Sequence, residues 1–249
     1  MPVLRHGDAI VTITIDNPPV NTLSMSTLAQ LDEQLAAVEG DDRIRALVLT
    51  GSGTTFASGG DVNELLESVG NPDAIEEHVA LTGALFSRLA ALPIPVIAAL
   101  DGAAVGGGLE LAIACDLVIA NEQVRLGFPE VKLGLIPGAG GTQRLPRRVL
   151  RLHAAELLLT GGLISAARAL QIGLVNECVP ASAYQRAYEI ATRISAFPPR
   201  AVRAAKSALQ AAGSLDQATG LGVERRLFVD LLSDPDTVEG LQAFLDGAR

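Results

Sequence analysis

The sequence contains no tryptophan, and aromatic residues make up only 3% of its 249 residues. Cysteine and histidine are also rare, with two and three copies. The distant cysteines Cys115 and Cys178 exclude a disulfide framework and indicate a reducing compartment. His6, His78 and His153 are isolated from one another along the chain, so we expect no metal site.

Positive charge is scarce as well. The chain carries 19 Lys+Arg against 28 Asp+Glu, a formal net charge of -9. This balance argues against nucleic acid as a partner, because phosphates require clustered basic residues. The most apolar stretch, residues 94–120, is interrupted by Asp101, Glu110 and Asp116, and the N-terminus lacks the layout of a signal peptide. We therefore expect a cytoplasmic protein that has neither nucleic acid nor a membrane as a partner.

Aliphatic residues and glycine take the place of the missing aromatics: 49% of the chain is hydrophobic and 25 residues are glycine. Apolar runs and alternation predict strands at residues 10–15, 45–50, 95–100 and 116–120. Helical spacing predicts helices at residues 26–40, after Asp61, at 74–92 and from the glycines at 106–108 to about 114. Strands that alternate with helices in this way indicate an α/β layered core.

The character of the chain changes in its last quarter. From about Ser182 onward the sequence is rich in alanine and helical in pattern, and no flexible linker precedes it. We predict a core with the active site in residues 1–190 and a helical region in residues 191–249 that packs on the core or on a neighbouring subunit.

Glu110 is the first candidate for chemistry. It follows the three glycines in a run of apolar residues, and the nearest ionisable residues, Asp101 and Asp116, are acidic. Burial of an unpaired carboxylate is costly and raises its pKa, a property that is enriched at active sites. An exposed helix position, or a hydrogen bond to backbone, would explain the residue equally well.

Glu130 is the second candidate, twenty positions and one strand further on. A helix that leads away and a strand that returns can bring both carboxyl groups to one cleft. A glutamate directly after proline is also common in the first turn of a helix, where the helix dipole favours it.

Two glycine turns, at Gly59-Gly60 and at 106–108, stand between a strand and a helix. Glycine there permits positive φ and close backbone approach, which packing alone can require. The same turns expose N–H groups at a helix start, where they can bind an anion or a developing oxyanion. Asp61 is a natural N-cap residue for the helix after the first turn. Two such turns that face each other would form an oxyanion hole with two donors.

Other motifs are missing or open to several interpretations. The chain has no phosphate loop, Rossmann fingerprint or Gly-x-Ser-x-Gly elbow. The basic cluster at residues 144–151 is compatible with a solvated face, a subunit contact or a phosphate contact.

Four motifs in order resemble the enoyl-CoA hydratase/isomerase (crotonase) superfamily. They are FASGGDV at 56–62, DGAAVGGGLEL at 101–111, FPE at 128–130 and GLIPGAGGT at 134–142. The resemblance extends from residue 17 to the C-terminus. It implies a crotonase-like spiral of ββα units with a C-terminal helical region that forms trimers, often paired into hexamers.

The resemblance also implies the substrate and the site. The substrate would be an acyl-coenzyme A thioester, with no cofactor and no metal. The N–H groups of Gly60 and Gly107 would hold the thioester oxygen, and Glu110 and Glu130 would be the two acid/base residues. Further substrate-binding residues would be Ala57, Ser58, Asp61, Gly138 and Phe228.

The presence of both glutamates favours an enoyl-CoA hydratase, a lyase of fatty acid metabolism that adds water syn to a 2-enoyl-CoA and forms a 3-hydroxyacyl-CoA. The alternatives are a Δ3,Δ2-enoyl-CoA isomerase, other crotonase-type acyl-CoA chemistry, and a non-catalytic acyl-CoA-binding or scaffold protein. Two departures bear on coenzyme A binding: Asn63 stands where many hydratases have lysine, and the chain ends AFLDGAR at 243–249 in place of a basic run.

Overall fold

The computed structural model describes residues 3–247; Met1, Pro2, Ala248 and Arg249, the last two within the predicted helical region and its AFLDGAR ending, lie outside the described residues. The strands are β1 (Val3–His6), β2 (Ile10–Ile15), β3 (Ala46–Gly51), β4 (Thr55–Ala57), β5 (Val96–Leu100), β6 (Ala103–Val105), β7 (Leu117–Asn121), β8 (Arg125–Gly127), β9 (Leu163–Ser165) and β10 (Glu177–Val179). The helices are α1 (Met25–Glu39), α2 (Val62–Glu67), α3 (Pro72–Ala91), α4 (Gly107–Ala114), α5 (Gly141–Arg148), α6 (Arg151–Thr160), α7 (Ala166–Gln171), α8 (Ala183–Ser195), α9 (Pro199–Ser214), α10 (Gln217–Leu231) and α11 (Pro235–Leu245). A 3-10 helix covers Glu130–Leu133.

The strands and helices predicted from the sequence are confirmed, with ends that move by one or two residues. Local capping explains several of the ends. The Ser24 side chain accepts the N–H of Thr27 at the start of α1, and the Asp61 carboxylate accepts the N–H of Asn63, so Asp61 caps α2 as predicted. Within residues 3–247, no helix combines the length and the apolar character that a membrane span requires.

The strands form two sheets. The larger sheet has the order β1-β2-β3-β5-β7-β10, in which β1 is antiparallel to β2 and the other pairs are parallel. The smaller sheet has the order β4-β6-β8-β9, and only the β8–β9 pair is antiparallel. A strand of the larger sheet is followed by a strand of the smaller sheet and then by a helix, at β3-β4-α2, β5-β6-α4 and β7-β8 with the 3-10 helix. This repeat is the predicted spiral of ββα units, and it confirms the predicted fold class.

The repeat decides where the site lies. Because β4, β6 and β8 are neighbours in the smaller sheet, the segments that leave their carboxyl ends are brought side by side. Those segments carry the two glycine turns and Glu130. Helix α4 is buried along its length, and its side chains belong to the main core together with those of α1, α3 and the sheets.

The C-terminal helices are attached to this core by small apolar side chains and by one buried ion pair. Ala183, Ala187 and Ala191 of α8 pack on the larger sheet. Lys206 of α9 donates to the Asp116 carboxylate at 2.6 Å and to the Ile94 carbonyl at 2.8 Å. The proposed division at residue 190 falls within α8 and stays a prediction.

Candidate active site

The two glycine turns lie against each other. A Cβ atom built on Gly107 would be 3.2 Å from the Cα of Gly59 and 3.6 Å from the N of Gly60, and a Cβ on Gly59 would be 2.9 Å from the N of Gly107. Gly59 has φ +94 and Gly106 has φ +56, a region that side chains rarely permit. The turns therefore require glycine both for their backbone conformation and for their close approach.

The N–H groups of Gly60 and Gly107 lie beside a cavity and have no acceptor in the part of the chain that the structure describes. Gly107 is the first residue of α4, where the N–H has no acceptor within the helix. Among the hydrogen bonds of residues 3–247, neither N–H is a donor, and both residues line the same cavity. This arrangement offers two backbone donors and the positive end of a helix dipole to a bound oxygen atom.

Glu110 is on the first turn of α4 and is 3% exposed. Its Oε1 accepts the N–H of Ala139 at 2.8 Å and the N–H of Gly141 at 2.6 Å. Burial raises the pKa of Glu110, while these N–H donors and the Arg144 guanidinium oppose the rise because they stabilise the carboxylate. The alternative that places Glu110 at an exposed helix position is wrong. The carboxyl group is buried, and it accepts hydrogen bonds from backbone N–H groups.

Glu130 begins the 3-10 helix after Pro129, so the expected place in a first helical turn is confirmed. Both of its carboxyl oxygens are buried, and neither has a hydrogen-bond partner among the described residues. Burial, with a smaller contribution from the nearby Glu110 charge, raises the pKa of Glu130 to about 7. A carboxyl group with this pKa is about half protonated near pH 7.

One cavity of about 220 Å³ brings Gly60, Gly107, Glu110 and Glu130 together. The rest of its wall is mainly apolar, and a single face of α3 supplies much of it. The lining residues from α3 are Ile75, His78, Val79, Thr82 and Phe86. His78, which in the sequence is only an isolated histidine, lies on this face and lines the cavity.

Of the other predicted substrate-binding residues, some lie in or next to the cavity wall and one does not. Gly138 lines the cavity and lies next to Val79, since a Cβ on Gly138 would be 3.7 Å from a Val79 methyl. Ala57, Ser58 and Asp61 belong to the first glycine turn and its flanks, next to the lining residue Gly60. Phe228 lies on α10, where it is 64% exposed, and the structure does not place it in the cavity wall.

The basic cluster at residues 144–151 is only partly a solvated face. The Arg148 guanidinium is largely buried and donates to the Cys115 carbonyl at 2.6 Å. Arg144 donates to the Ala139 carbonyl at 2.7 Å, next to the groups that bind Glu110. The sequence gave no signal of this contact, because the residues are brought together by a loop whose path depends on glycine conformations.

Fold and site together define an α/β protein in which two backbone donors and two carboxyl groups surround an apolar cavity. Residues 5–248 match the family Enoyl-CoA hydratase/isomerase. The chain is 43% identical to YngF of Bacillus subtilis strain 168, named as an enoyl-CoA hydratase/isomerase, over 98% of this chain and 94% of that protein. It is 39% identical to the 2,3-dehydroadipyl-CoA hydratase of Escherichia coli K12, with the same coverage of each chain.

A solved structure agrees with these sequence relatives. The crystal structure of the enoyl-CoA hydratase from Bacillus anthracis superposes with a TM-score of 0.93 and 37% identity, over 99% of this chain and 97% of that chain. The chain therefore belongs to the enoyl-CoA hydratase/isomerase family of the crotonase superfamily, as the sequence motifs implied.

Proposed function

We propose that this protein is a 2-enoyl-CoA hydratase that adds water syn across the double bond and forms a 3-hydroxyacyl-CoA. The observation that carries the proposal is the joint placement of Glu110, Glu130 and two free N–H groups around one cavity. Hydration requires a base that takes a proton from water, an acid that protonates C2, and hydrogen-bond donors that stabilise the enolate oxygen. Each of these requirements has a group of the right type in this cavity.

The N–H groups of Gly60 and Gly107 would hold the thioester oxygen. Water adds poorly to a carbon–carbon double bond unless the adjacent thioester can accept the negative charge that develops. Backbone donors aimed at that oxygen stabilise the charge without reorganisation, and the loss of one such donor typically costs about 3 kcal/mol of transition-state stabilisation.

The surroundings of the two carboxyl groups suggest different roles for them. Glu110 receives two backbone N–H bonds and faces a guanidinium, which favours the carboxylate, so we assign it as the base. Glu130 has no hydrogen-bond partner within residues 3–247 and a pKa of about 7, so we assign it as the acid. This separation of two carboxyl groups by their environments is the usual way to obtain an acid and a base at neutral pH.

The proposed reaction then balances without a metal or redox cofactor. Glu110 takes a proton from a water molecule while the oxygen of that water forms a bond to C3. The π electrons of the C2–C3 double bond move through C2 to the thioester oxygen. The enolate returns its electrons to C2, which takes the proton of Glu130. One proton passes back from Glu110 to Glu130 through solvent before the next turnover.

Partners and assembly belong to the same proposal. An acyl-CoA thioester is the proposed substrate. We also propose that the chain assembles as a trimer or hexamer through its C-terminal helices, since α10 and α11 expose the large apolar residues Leu221, Phe228, Val229, Val238, Leu241 and Leu245. Light scattering on the purified protein measures the assembly directly.

Activity on crotonyl-CoA and on longer 2-enoyl-CoAs tests the proposal, first with the natural protein and then with Glu110→Gln and Glu130→Gln. We expect each substitution to lower kcat by about a hundredfold to ten-thousandfold, the usual contribution of an acid/base group. Unchanged turnover in both variants contradicts the two-carboxylate mechanism.

A Δ3,Δ2-enoyl-CoA isomerase is the second candidate. Glu130, which has no hydrogen-bond partner among residues 3–247, favours it, because a single carboxyl group is enough to move a proton between two carbons. An isomerase would convert a 3-enoyl-CoA without incorporation of oxygen from labelled water, and it would depend on one glutamate only. Tight acyl-CoA binding in calorimetry without turnover on any of these substrates would identify a non-catalytic binding protein.

A further inference from the structure

Arg144 lies where the loop at residues 138–141 meets helix α3. Its Nη1 donates to the Ala139 carbonyl at 2.7 Å, and its Nη2 donates to the Ser87 hydroxyl of α3 at 3.1 Å. One guanidinium group therefore ties the loop to the helix that forms a large part of the cavity wall.

The loop is shaped to receive this side chain. Gly140 has φ +110, and a Cβ built on it would be 2.1 Å from Nη1 of Arg144. The positive φ favours glycine here, and a side chain at this position would displace the guanidinium from its present place. The backbone conformation and the position of Arg144 thus depend on each other.

The same loop holds Glu110. The residue whose carbonyl accepts from Arg144, Ala139, donates its own N–H to Glu110 Oε1, and Gly141 supplies the second N–H. A displacement of this loop moves both donors away from the carboxylate. The contact also requires glycine at position 141, since a Cβ there would be 3.0 Å from Glu110 Oε1.

We propose that Arg144 is a positioning residue for the reaction: it holds the loop that presents two N–H groups to Glu110, and its positive charge favours the carboxylate form of that residue. The inference rests on the proposed role of Glu110 as the base. Arg144 is not itself a lining residue of the cavity: it contacts the lining residue Ala139 and the Ser87 hydroxyl, so its effect on turnover passes through the loop and Glu110.

The charges around Glu110 support an electrostatic part of this role. The Arg144 charge lowers the pKa of Glu110 against the effect of burial. The other ionisable groups near this part of α4 are Glu130 and His78 in the cavity and Arg148 beside Cys115 at the far end of the helix. Removal of Arg144 takes away the charge that favours the Glu110 carboxylate and leaves burial, which raises the pKa of Glu110, opposed by the backbone N–H donors alone.

The test compares Arg144→Met, Arg144→Lys and the control Arg147→Met in steady-state hydration from pH 5 to pH 9. Arg147 is on the same helix, but its guanidinium bonds to Gln143 within that helix. For Arg144→Met we expect kcat to fall about tenfold to a hundredfold, as for the loss of a charge-assisted hydrogen bond, with KM changed less than about threefold. The acid limb of the pH profile should move to higher pH.

The remaining variants separate geometry from charge. Arg144→Lys should return the acid limb toward its original pH and restore only part of kcat, because an ammonium group cannot bridge both acceptors in the planar geometry of guanidinium. Ser87→Ala, which removes one anchor and keeps the charge, should lower kcat slightly and leave the limb in place. A folded Arg144→Met with the same kcat and acid limb as Arg147→Met overturns the inference.

A second readout does not require turnover. Carbon NMR of labelled glutamate, assigned with Glu110→Gln, follows the titration of the Glu110 carboxyl group directly. A natural protein that hydrates no enoyl-CoA contradicts the proposed function, whereas an unchanged Glu110 titration in Arg144→Met contradicts the role of Arg144. The two failures are therefore distinguishable.

Discussion

Gly106 faces the carboxyl group of Glu130: a Cβ built on Gly106 would be 3.2 Å from Glu130 Oε1. The glycine also has φ +56, so a side chain there would be strained even without the contact. One residue of the second glycine turn thus sets both the start of α4 and the space in which the proposed acid lies.

Gly106→Ala tests this relationship. We expect hydration to fall at least tenfold, because the new methyl group displaces the Glu130 carboxyl and strains the turn next to Gly107. The control is Gly83→Ala on α3, where a Cβ meets no atom within 4 Å. Equal activity of the two variants would show that the position of Glu130 does not matter.

The pH dependence of hydration follows from the two carboxyl groups. Glu130 must be protonated to act as the acid, and its pKa is about 7, so kcat/KM should decline as the pH rises through about 7. Glu110 must be ionised, and its pKa is raised above the usual range, so activity should also decline on the acid side. A profile that stays flat from pH 6 to pH 9 would exclude Glu130 as the acid.

Glu130 should make the free energy of unfolding fall as the pH rises, whereas a carboxylate in an ion pair makes it rise. Its pKa in the folded protein, about 7, is above its usual 4.5, so the unfolded chain releases this proton first and stability is lost as the pH rises from about 4.5 to 7. Glu130→Gln removes this penalty, which corresponds to at most about 3 kcal/mol. The melting temperature of Glu130→Gln should therefore exceed that of the natural protein at pH 8 and differ little from it at pH 4. An increase of equal size at both pH values would refute the electrostatic origin.

The α3 face should set the length of the acyl chain. Val79 lines the cavity beside Gly138, so Val79→Phe fills space that a long chain would occupy. We expect kcat/KM to fall more for a ten-carbon than for a four-carbon 2-enoyl-CoA. Leu81→Phe, on the same helix but facing the groove between α1 and α3, is the matched control and should keep the selectivity of the natural protein.

The buried pair of Lys206 and Asp116 should anchor α9 to the core. Lys206→Met leaves an Asp116 carboxylate without its cation and should lower the free energy of unfolding by about 3 kcal/mol. Arg203→Met, on the same helix, removes a pair whose partner Asp42 is exposed and should cost less than about 1 kcal/mol. Chemical denaturation of both variants measures the difference.

The sequence determined the elements and the chemistry-bearing residues. Alternation at residues 10–15, apolar runs and capping residues such as Asp61 are local signals, and local hydrogen bonds and side-chain spacing are enough to predict the strands and helices they specify. The two glycine turns and Glu110 were also visible, because glycine turns and a carboxyl group in an apolar context are unusual at short range. Glu130 was a candidate only through its spacing from Glu110. The short strands β4, β6 and β8 have no such signal, since three residues show no periodicity.

Tertiary structure alone decided what these residues do to one another. The pairing of β4 with β6 places Gly60 beside Gly107, and the loop at residues 138–141 brings Ala139, Gly141 and Arg144 to Glu110 across about thirty positions of sequence. A carboxyl group acquires its pKa from burial and from such distant neighbours. The scarcity of basic and aromatic residues argues against nucleic acid as a partner. The difference between Glu110, bonded to backbone, and Glu130, bonded to none of the described residues, exists only in the folded chain.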